Sequence, residues 1–396
     1  MNMLNYLDRY IVAALLPEMQ QELHLSDWQG GLLGSAFIGV YFMVCPFFGW
    51  MGDRGKRPSW LALGVALWSL ATAATGLMVH FSTLLMARAS VGVGEAAYGA
   101  IAPSLLADYF PQASRGRALS FFYVATPVGS ALGFVLGGVL AQRIGWRQAF
   151  FCVGLPGLLL AAVARRLPDP PRGLIDAPPG AAPSFGPAQA VSYAGMRKVY
   201  ASLLHNRLYV LTVAGYTAYT FALGGMAFWA PSYMMRVRHY PQEQGMLLFG
   251  GITVVSGLLG TVIGGIAGDR LLKITPRAYP LLNASSMLGA ASCTALSLTA
   301  AHNTGFLCWL ALAQLFIFIS TGPVNALILS VVQAPMRATA MATSIFFIHL
   351  FGDAISPSLI GAVSDSAGLG PSMLAIPVLY LVAGVLWAYS ARFARF

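Results

Sequence analysis

The sequence predicts an all-α membrane protein, with twelve transmembrane helices arranged as two pseudo-symmetric six-helix bundles. Three observations lead there. The chain of 396 residues is 57% hydrophobic and only 9% charged, with a mean hydropathy of +0.70, where a soluble chain carries roughly 25% charged residues. Apolar runs of about 20 residues recur along its whole length, each long enough to cross a ~30 Å hydrocarbon core. One proline-rich stretch interrupts the pattern midway and leaves six runs on each side.

The expected spans of the first half lie at roughly 1–16, 30–51, 58–79, 82–109, 116–141 and 146–164. With only seven residues before Asp8, the first span is short at its start. Either the numbering begins inside a longer protein or the first helix is short. No basic n-region or cleavage site marks a signal peptide. Between the halves, the stretch from Leu167 to about His205 carries Pro168, Pro170, Pro171, Pro178, Pro179, Pro183 and Pro187 and reads as a linker. The second half places spans at roughly 207–235, 245–268, 278–300, 304–332, 338–363 and 371–391. The expected domains are therefore 1–166, a linker 167–205, and 206–396.

The net charge of +10 suggests nucleic acid until its distribution is read. Seventeen of the 23 Lys and Arg residues fall in alternate loops and at the C-terminus, and only Arg143, Arg147, Arg236 and Arg238 fall in the opposite loops. The positive-inside rule then places both termini in the cytoplasm, and no nucleic-acid partner is needed to explain the charge. Short loops favour a bacterial inner membrane. Cys45, Cys152, Cys293 and Cys308 are scattered in or beside apolar spans with no metal spacing or disulfide framework.

The halves echo each other. Gly49-Trp-Met-Gly52-Asp53-Arg54 follows the second span, and Gly265-Ile-Ala-Gly268-Asp269-Arg270 follows the eighth. Arg115-Gly-Arg-Ala118 precedes span five as Arg337-Ala-Thr-Ala340 precedes span eleven. Repeated six-helix halves are a transporter pattern. On these residues the chain resembles the major facilitator superfamily over nearly its whole length, with Lys56 standing where that family usually has glycine. Within it the chain resembles the spinster group of lipid transporters. That likeness rests on Asn5-Tyr-Leu-Asp8-Arg9, on Arg88 through Gly92 with Gly94 and Glu95, and on His349-Leu-Phe-Gly352-Asp353-Ala-Ile-Ser-Pro357.

Asp8, Arg88, Glu95 and Asp353 lie inside apolar spans. A charge at membrane depth costs at least ~2.5–3.5 kcal/mol, so such residues mark ion or substrate pathways. Arg88 and Glu95 are seven residues apart, about two turns on nearly one face of a helix. Helix one, bearing Asn5, Asp8 and Arg9, is the expected neighbour. The expectation is that Asp8 and Glu95 compete for Arg88 and Arg9, and that one or both carboxylates bind a proton; the competing reading is a static ion pair. His349 and Asp353, at i,i+4 spacing, form a possible second titrating pair or an interhelical fixture.

The resemblance implies that Asp53, Arg54, Asp269 and Arg270 gate the cytoplasmic side. Asp53 is then expected to face the helix start near Arg337, and Asp269 the one near Arg115 and Arg117. It also implies a cavity lined by helices one, four, seven and ten, which here offer Asn5, Tyr6, Tyr98, Tyr216, Tyr219, Phe228, Phe316 and Asn325. Aromatic rings with polar tips suit an amphiphile. The resemblance thus implies a proton-coupled carrier of lysophospholipid or sphingoid-phosphate type, working by alternating access as a monomer among membrane lipids. The alternative is a proton-coupled carrier of small organic anions or drugs. No Gly-x-x-x-x-Gly-Lys loop occurs, and no cofactor or enzymatic site is expected.

Overall fold

The computed structural model describes residues 1–110, 112–171, 201–332 and 337–394, less the side chains of residues 50, 53–54, 107, 112–121, 123–124 and 337–339. Among the described residues the chain is helical and holds no strand. The first half forms α1 (Asn2–Leu23), α2 (Asp27–Arg54), α3 (Arg57–Thr75), α4 (Phe81–Tyr109), α5 (Gln112–Gly154) and α6 (Pro156–Arg165). The second half forms α7 (Arg207–Arg236), α8 (Gln242–Leu272), α9 (Ala278–Thr299), α10 (Asn303–Ile319), α11 (Thr321–Ser330), α12 (Arg337–Ile348), α13 (Ser356–Ala367), α14 (Leu369–Met373) and α15 (Ala375–Ser390).

Nine helical stretches among the described residues are long and apolar enough to cross a membrane. α1 and α4 fall outside that set, and they carry Asp8, Arg9, Arg88 and Glu95. Expected spans five and six share one stretch, Ala125–Arg165. They are divided at Gly145, whose backbone takes φ 81° and ψ 159°. Gly368, between α13 and α14, takes φ 84° and ψ 157°. Both lie where an L side chain is strained and glycine is free.

The chain divides into two compact units. One comprises α1, α2 beyond its first turn, α3 to α6, and Gln242–Leu247. Small residues set its packing, because apolar helices in lipid associate by close backbone approach. A Cβ on Gly133 would lie 2.7 Å from the Leu7 carbonyl oxygen, one on Gly137 2.6 Å from the Ala14 Cβ, and one on Gly129 would strike the Met3 carbonyl. These glycines, four residues apart, lock α5 against α1. A Cβ on Gly94 would lie 2.5 Å from the Trp68 nitrogen and 2.6 Å from the Gly64 oxygen, which locks α4 against α3.

Two clasps hold the ends of this unit. Arg147 donates to the Gly76 and Met78 carbonyls at 3.0 and 2.8 Å, past the end of α3, and to Glu22 at 2.8 Å. Trp146 donates its indole N–H to Glu22 at 2.6 Å. Those bonds from Trp146 and then Arg147 hold the Glu22 carboxyl below its ordinary value. At the other end Arg57 is buried. It donates to Asp108, to Asp169 at 2.8 Å and to the Pro170 carbonyl at 2.7 Å. Tyr109 donates to the Pro168 carbonyl at 2.5 Å. The start of the expected linker is thus fastened to α3 and α4.

The second unit comprises Ser26–Gly31, α7 and the chain from Leu248 onward. Asp27 is buried, and Arg236 grips its carboxylate at 2.5 and 2.9 Å while Ser364 donates to it. Asp365 accepts the Asp27 and Trp28 backbone N–H groups at 2.7 and 2.9 Å, an acidic cap on free helix donors. Arg238 donates to the Ser297, Leu298 and Ala300 carbonyls at 2.8, 2.9 and 2.6 Å. Three of the four cations counted in the sparsely charged loops, Arg147, Arg236 and Arg238, are therefore engaged by protein groups. Between α12 and α13, His349–Asp353 forms a π turn with non-helical torsions at Gly352.

Candidate functional site

The site occupies the first unit. Asp8, Arg88 and Glu95 are each at most 1% exposed, and Asn5 is 4% exposed. Arg9 is the outer member, its side chain 22% exposed. Helix geometry places them. Asn5, Asp8 and Arg9 share one side of α1 at i, i+3 and i+4, and Arg88 and Glu95 sit two turns apart on α4. Gly92, between them, lets the α2 backbone approach so closely that a Cβ there would lie 2.5 Å from the Phe37 oxygen. That approach brings Phe37 and Tyr41 of α2 to the site.

Arg9 closes on Glu95, donating to Oε2 from Nη2 at 2.8 Å and from Nε at 3.3 Å. Its guanidinium lies 5.0 Å from the ring centroids of Tyr6 and Phe37 and 5.2 Å from that of Tyr41. Cation–π attraction strengthens when the cation is desolvated. Arg88 lies 4.9 Å from the same Phe37 ring. Phe37 is thus shared by two guanidinium groups, and nothing in its own residue type announced that.

The sequence expectation had both carboxylates competing for the two arginines. The structure joins Glu95 to Arg9 and leaves Asp8 unjoined. Both Asp8 oxygens, Arg88 Nε and Nη1, and Glu95 Oε1 have no hydrogen-bond partner among the described residues. Asp8 faces α3 as well as α4, with Trp68 and Thr72 beside its carboxylate and Arg88 and Glu95 as its charged neighbours. Trp68 and Thr72 escaped the sequence reading. Both are neutral residues in an apolar run, and their i,i+4 spacing on α3 was the available signal.

The remaining expected residues divide by location. Tyr98 is buried against Trp68, with ring centroids 5.4 Å apart, and Tyr219 is buried among Tyr216, Tyr380 and Trp387. Tyr6, Tyr216, Phe228, Phe316 and Asn325 are partly exposed. Asn325 donates to the Thr321 carbonyl at 2.8 Å and lies beside the Tyr216 hydroxyl. His349 Nδ1 stands 2.9 Å from Asp353 Oδ1 within the π turn, and Asp353 packs on Gly224 of α7.

Of the expected gating residues, Asp269 and Arg270 are exposed near the end of α8. The side chains of Asp53, Arg54, Arg115, Arg117 and Arg337 lie outside the described residues. Arg57, three residues beyond Arg54, is buried although it sits among the charged residues between α2 and α3. Among the described residues no three His, Cys, Asp or Glu side chains gather as a metal set.

Comparison with known proteins places the chain. The Major Facilitator Superfamily model matches residues 1–357. The chain is 36% identical to protein spinster homolog 1 of Xenopus tropicalis over 94% of this chain and 73% of that protein. It is 37% identical to the human protein spinster homolog 1 over 92% of this chain and 71% of that one. In structure it is similar to a bacterial homologue of the human lysosomal transporter spinster, with a TM-score of 0.85, 21% identity, and 99% and 94% of the two chains covered. It is also similar to a D-xylose–proton symporter, with a TM-score of 0.74, 16% identity, and 98% and 94% covered. The chain belongs to the Major Facilitator Superfamily of membrane transporters and, within it, to the spinster family.

Proposed function

We propose that this transporter is a proton-coupled secondary-active carrier of a lipid-like amphiphile, of lysophospholipid or sphingoid-phosphate type. The observation that carries the coupling is the Asp8–Arg88–Glu95 group. Two carboxylates and a guanidinium are buried together with five of their polar atoms unpartnered among the described residues. Buried polar groups are ordinarily hydrogen-bonded, and exceptions point to a working site. Protonating one carboxylate changes the charge of a dry cluster, which couples proton occupancy to helix arrangement. The donors facing Asp8 oppose a bound metal cation at that carboxylate, since Arg and Trp donate and do not ligate.

The amphiphilic substrate follows the spinster kinship. Arg9 supports it: partly exposed among the Tyr6, Phe37 and Tyr41 rings, it offers charge-assisted bonds to an anionic head beside apolar surface. In this reading the halves 1–166 and 206–396, joined by 167–205, alternate access to the substrate, with Asp53, Asp269 and their neighbouring arginines as gates and His349–Asp353 as a second titrating pair. The protein works as a monomer with both termini cytoplasmic. Proton coupling on a similar fold, in the D-xylose–proton symporter, favours the alternative of a small soluble substrate.

Purified protein in nanodiscs tests the reading. Saturable binding of lysophospholipids or sphingoid phosphates that depends on pH and weakens in Arg9→Ala is expected. Binding confined to soluble organic anions would overturn the substrate, and uptake that is flat with pH would overturn the coupling.

A further inference from the structure

We propose that Trp68 and Thr72 of α3 form a seat for the Asp8 carboxylate, occupied when Asp8 is charged and vacated when it is protonated. The proposal rests on the proton-coupled reading above and adds two positioning residues on a helix that reading does not use.

The seat is built from unused donors. Asp8, Trp68 and Thr72 are all fully buried. Trp68 Nε1, Thr72 Oγ1 and both Asp8 oxygens lack a hydrogen-bond partner among the described residues. The indole and the hydroxyl stand one helical turn apart on one face of α3, beside the carboxylate. An indole N–H can only donate, and a hydroxyl can donate or accept. An ionised carboxylate takes both bonds. A carboxylic acid keeps one oxygen as an acceptor and spends its proton elsewhere, so it holds the pair less well.

The packing places Asp8 and its seat on different helix pairs. α1 is locked to α5 through Gly129, Gly133 and Gly137, and α3 is locked to α4 through Gly64 and Gly94. Asp8 rides on the first pair. Trp68, Thr72, Arg88 and Glu95 ride on the second and keep a fixed frame. The pairs are tied to each other by Arg9–Glu95 and by Arg147, which joins Glu22 to the end of α3, so Asp8 meets or leaves the seat by a local shift of its side chain and of the α1 turn that carries it. The charged groups facing Asp8 are Arg88 and Glu95, both from α4, and α3 brings only neutral donors. Arg9, on α1 itself, is held by Glu95. When Asp8 loses its proton only the O–H bond breaks, the proton leaves to water, and the carboxylate accepts the two α3 donors.

Two readouts test the seat. The first is the indole ¹H–¹⁵N resonance of Trp68 in nanodiscs, followed with pH. A downfield shift on deprotonation, absent in Asp8→Asn, is expected; a resonance unmoved by pH in wild type overturns the seat. The second is the pH profile of transport in liposomes. Trp68→Phe and Thr72→Val are expected to move the midpoint alkaline by about half a unit or more each, since each removes a bond to the charged form. Thr72→Ser should restore the wild-type midpoint. Equal loss at every pH, or an unmoved midpoint in folded, active variants, overturns the proposal. The parent reading fails separately: transport flat with pH in wild type removes coupling, while the indole shift still decides the seat.

Discussion

Arg9 holds a single oxygen of Glu95 through two of its nitrogens, and the other oxygen, Oε1, is left without a hydrogen bond among the described residues. The pair is lopsided: Glu95 is fully buried and Arg9 is partly exposed. Removing one partner of a buried pair costs about 3–5 kcal/mol, because the other charge is stranded. Arg9→Ala strands the deeper group. It is therefore expected to lower thermal stability more at neutral pH than in acid, where Glu95 can neutralise itself by protonation. Glu95→Gln, which keeps an acceptor and removes the charge, should show little of that acid recovery. Melting curves in detergent at a series of pH values check both.

The Asp27–Arg236 grip gives a cleaner cycle. Asp27 is 6% exposed, so Arg236→Ala removes the cation paired with a carboxylate that stays buried. A loss of about 3 kcal/mol or more is expected. Combining Arg236→Ala with Asp27→Asn should recover a large part of it. Denaturant unfolding of the four proteins measures the coupling, and simple additivity would refute it.

The glycine contacts predict opposite outcomes for one kind of substitution. Gly94→Ala drives a Cβ against the Trp68 backbone and should destabilise by about 1–3 kcal/mol, as overpacking does. Gly39→Ala and Gly251→Ala meet nothing within 4 Å. Relief of unfolded-chain entropy should make each stabilising by about 0.4–1 kcal/mol. Melting temperatures of the three variants decide.

Glu22 carries a pH signature. Its carboxyl is held below the ordinary value of 4.5 by Trp146 and Arg147. A depressed carboxylate contributes stability above its unfolded value and loses it as pH falls through the folded one. The contribution is therefore intact at neutral pH and disappears only in acid, below about 4.5. Its side chain is half exposed, so the effect should stay below about 1 kcal/mol. Glu22→Gln should flatten that stretch of the stability profile and leave the neutral arm nearly unchanged.

Arg57 is the fastening of the chain after α6. Lysine offers a single ammonium where three separate acceptors, Asp108, Asp169 and the Pro170 carbonyl, are met by one guanidinium. Both Arg57→Lys and Arg57→Ala should speed tryptic cleavage at the exposed Arg165 and Arg166. Unchanged cleavage in both would show that the fastening is not what protects the segment.

Much of this could be read from the chain. Hydropathy fixes where spans fall, and charge in an apolar run picks out Asp8, Arg88 and Glu95, because membrane depth makes such residues expensive. What could not be read depends on which side chains meet. Trp68 and Thr72 are ordinary in an apolar run and become notable only beside Asp8. Arg57 has the sequence context of a loop cation, and only the fold buries it between two aspartates. The pairing of Glu95 with Arg9 instead of Arg88 depends on how α1 lies against α4, which no spacing within one helix determines.

Gly145 and Gly368 adopt the same turn, with φ and ψ agreeing to within 3°. The residues that follow have little in common: Trp146-Arg147 after one, Leu369-Gly370 after the other. Sequence drift can exchange almost any side chain for another of similar size. At these two turns it has no such freedom, because every L side chain meets the same steric wall. The tightest constraint on these two turns thus falls on positions that carry no side chain at all.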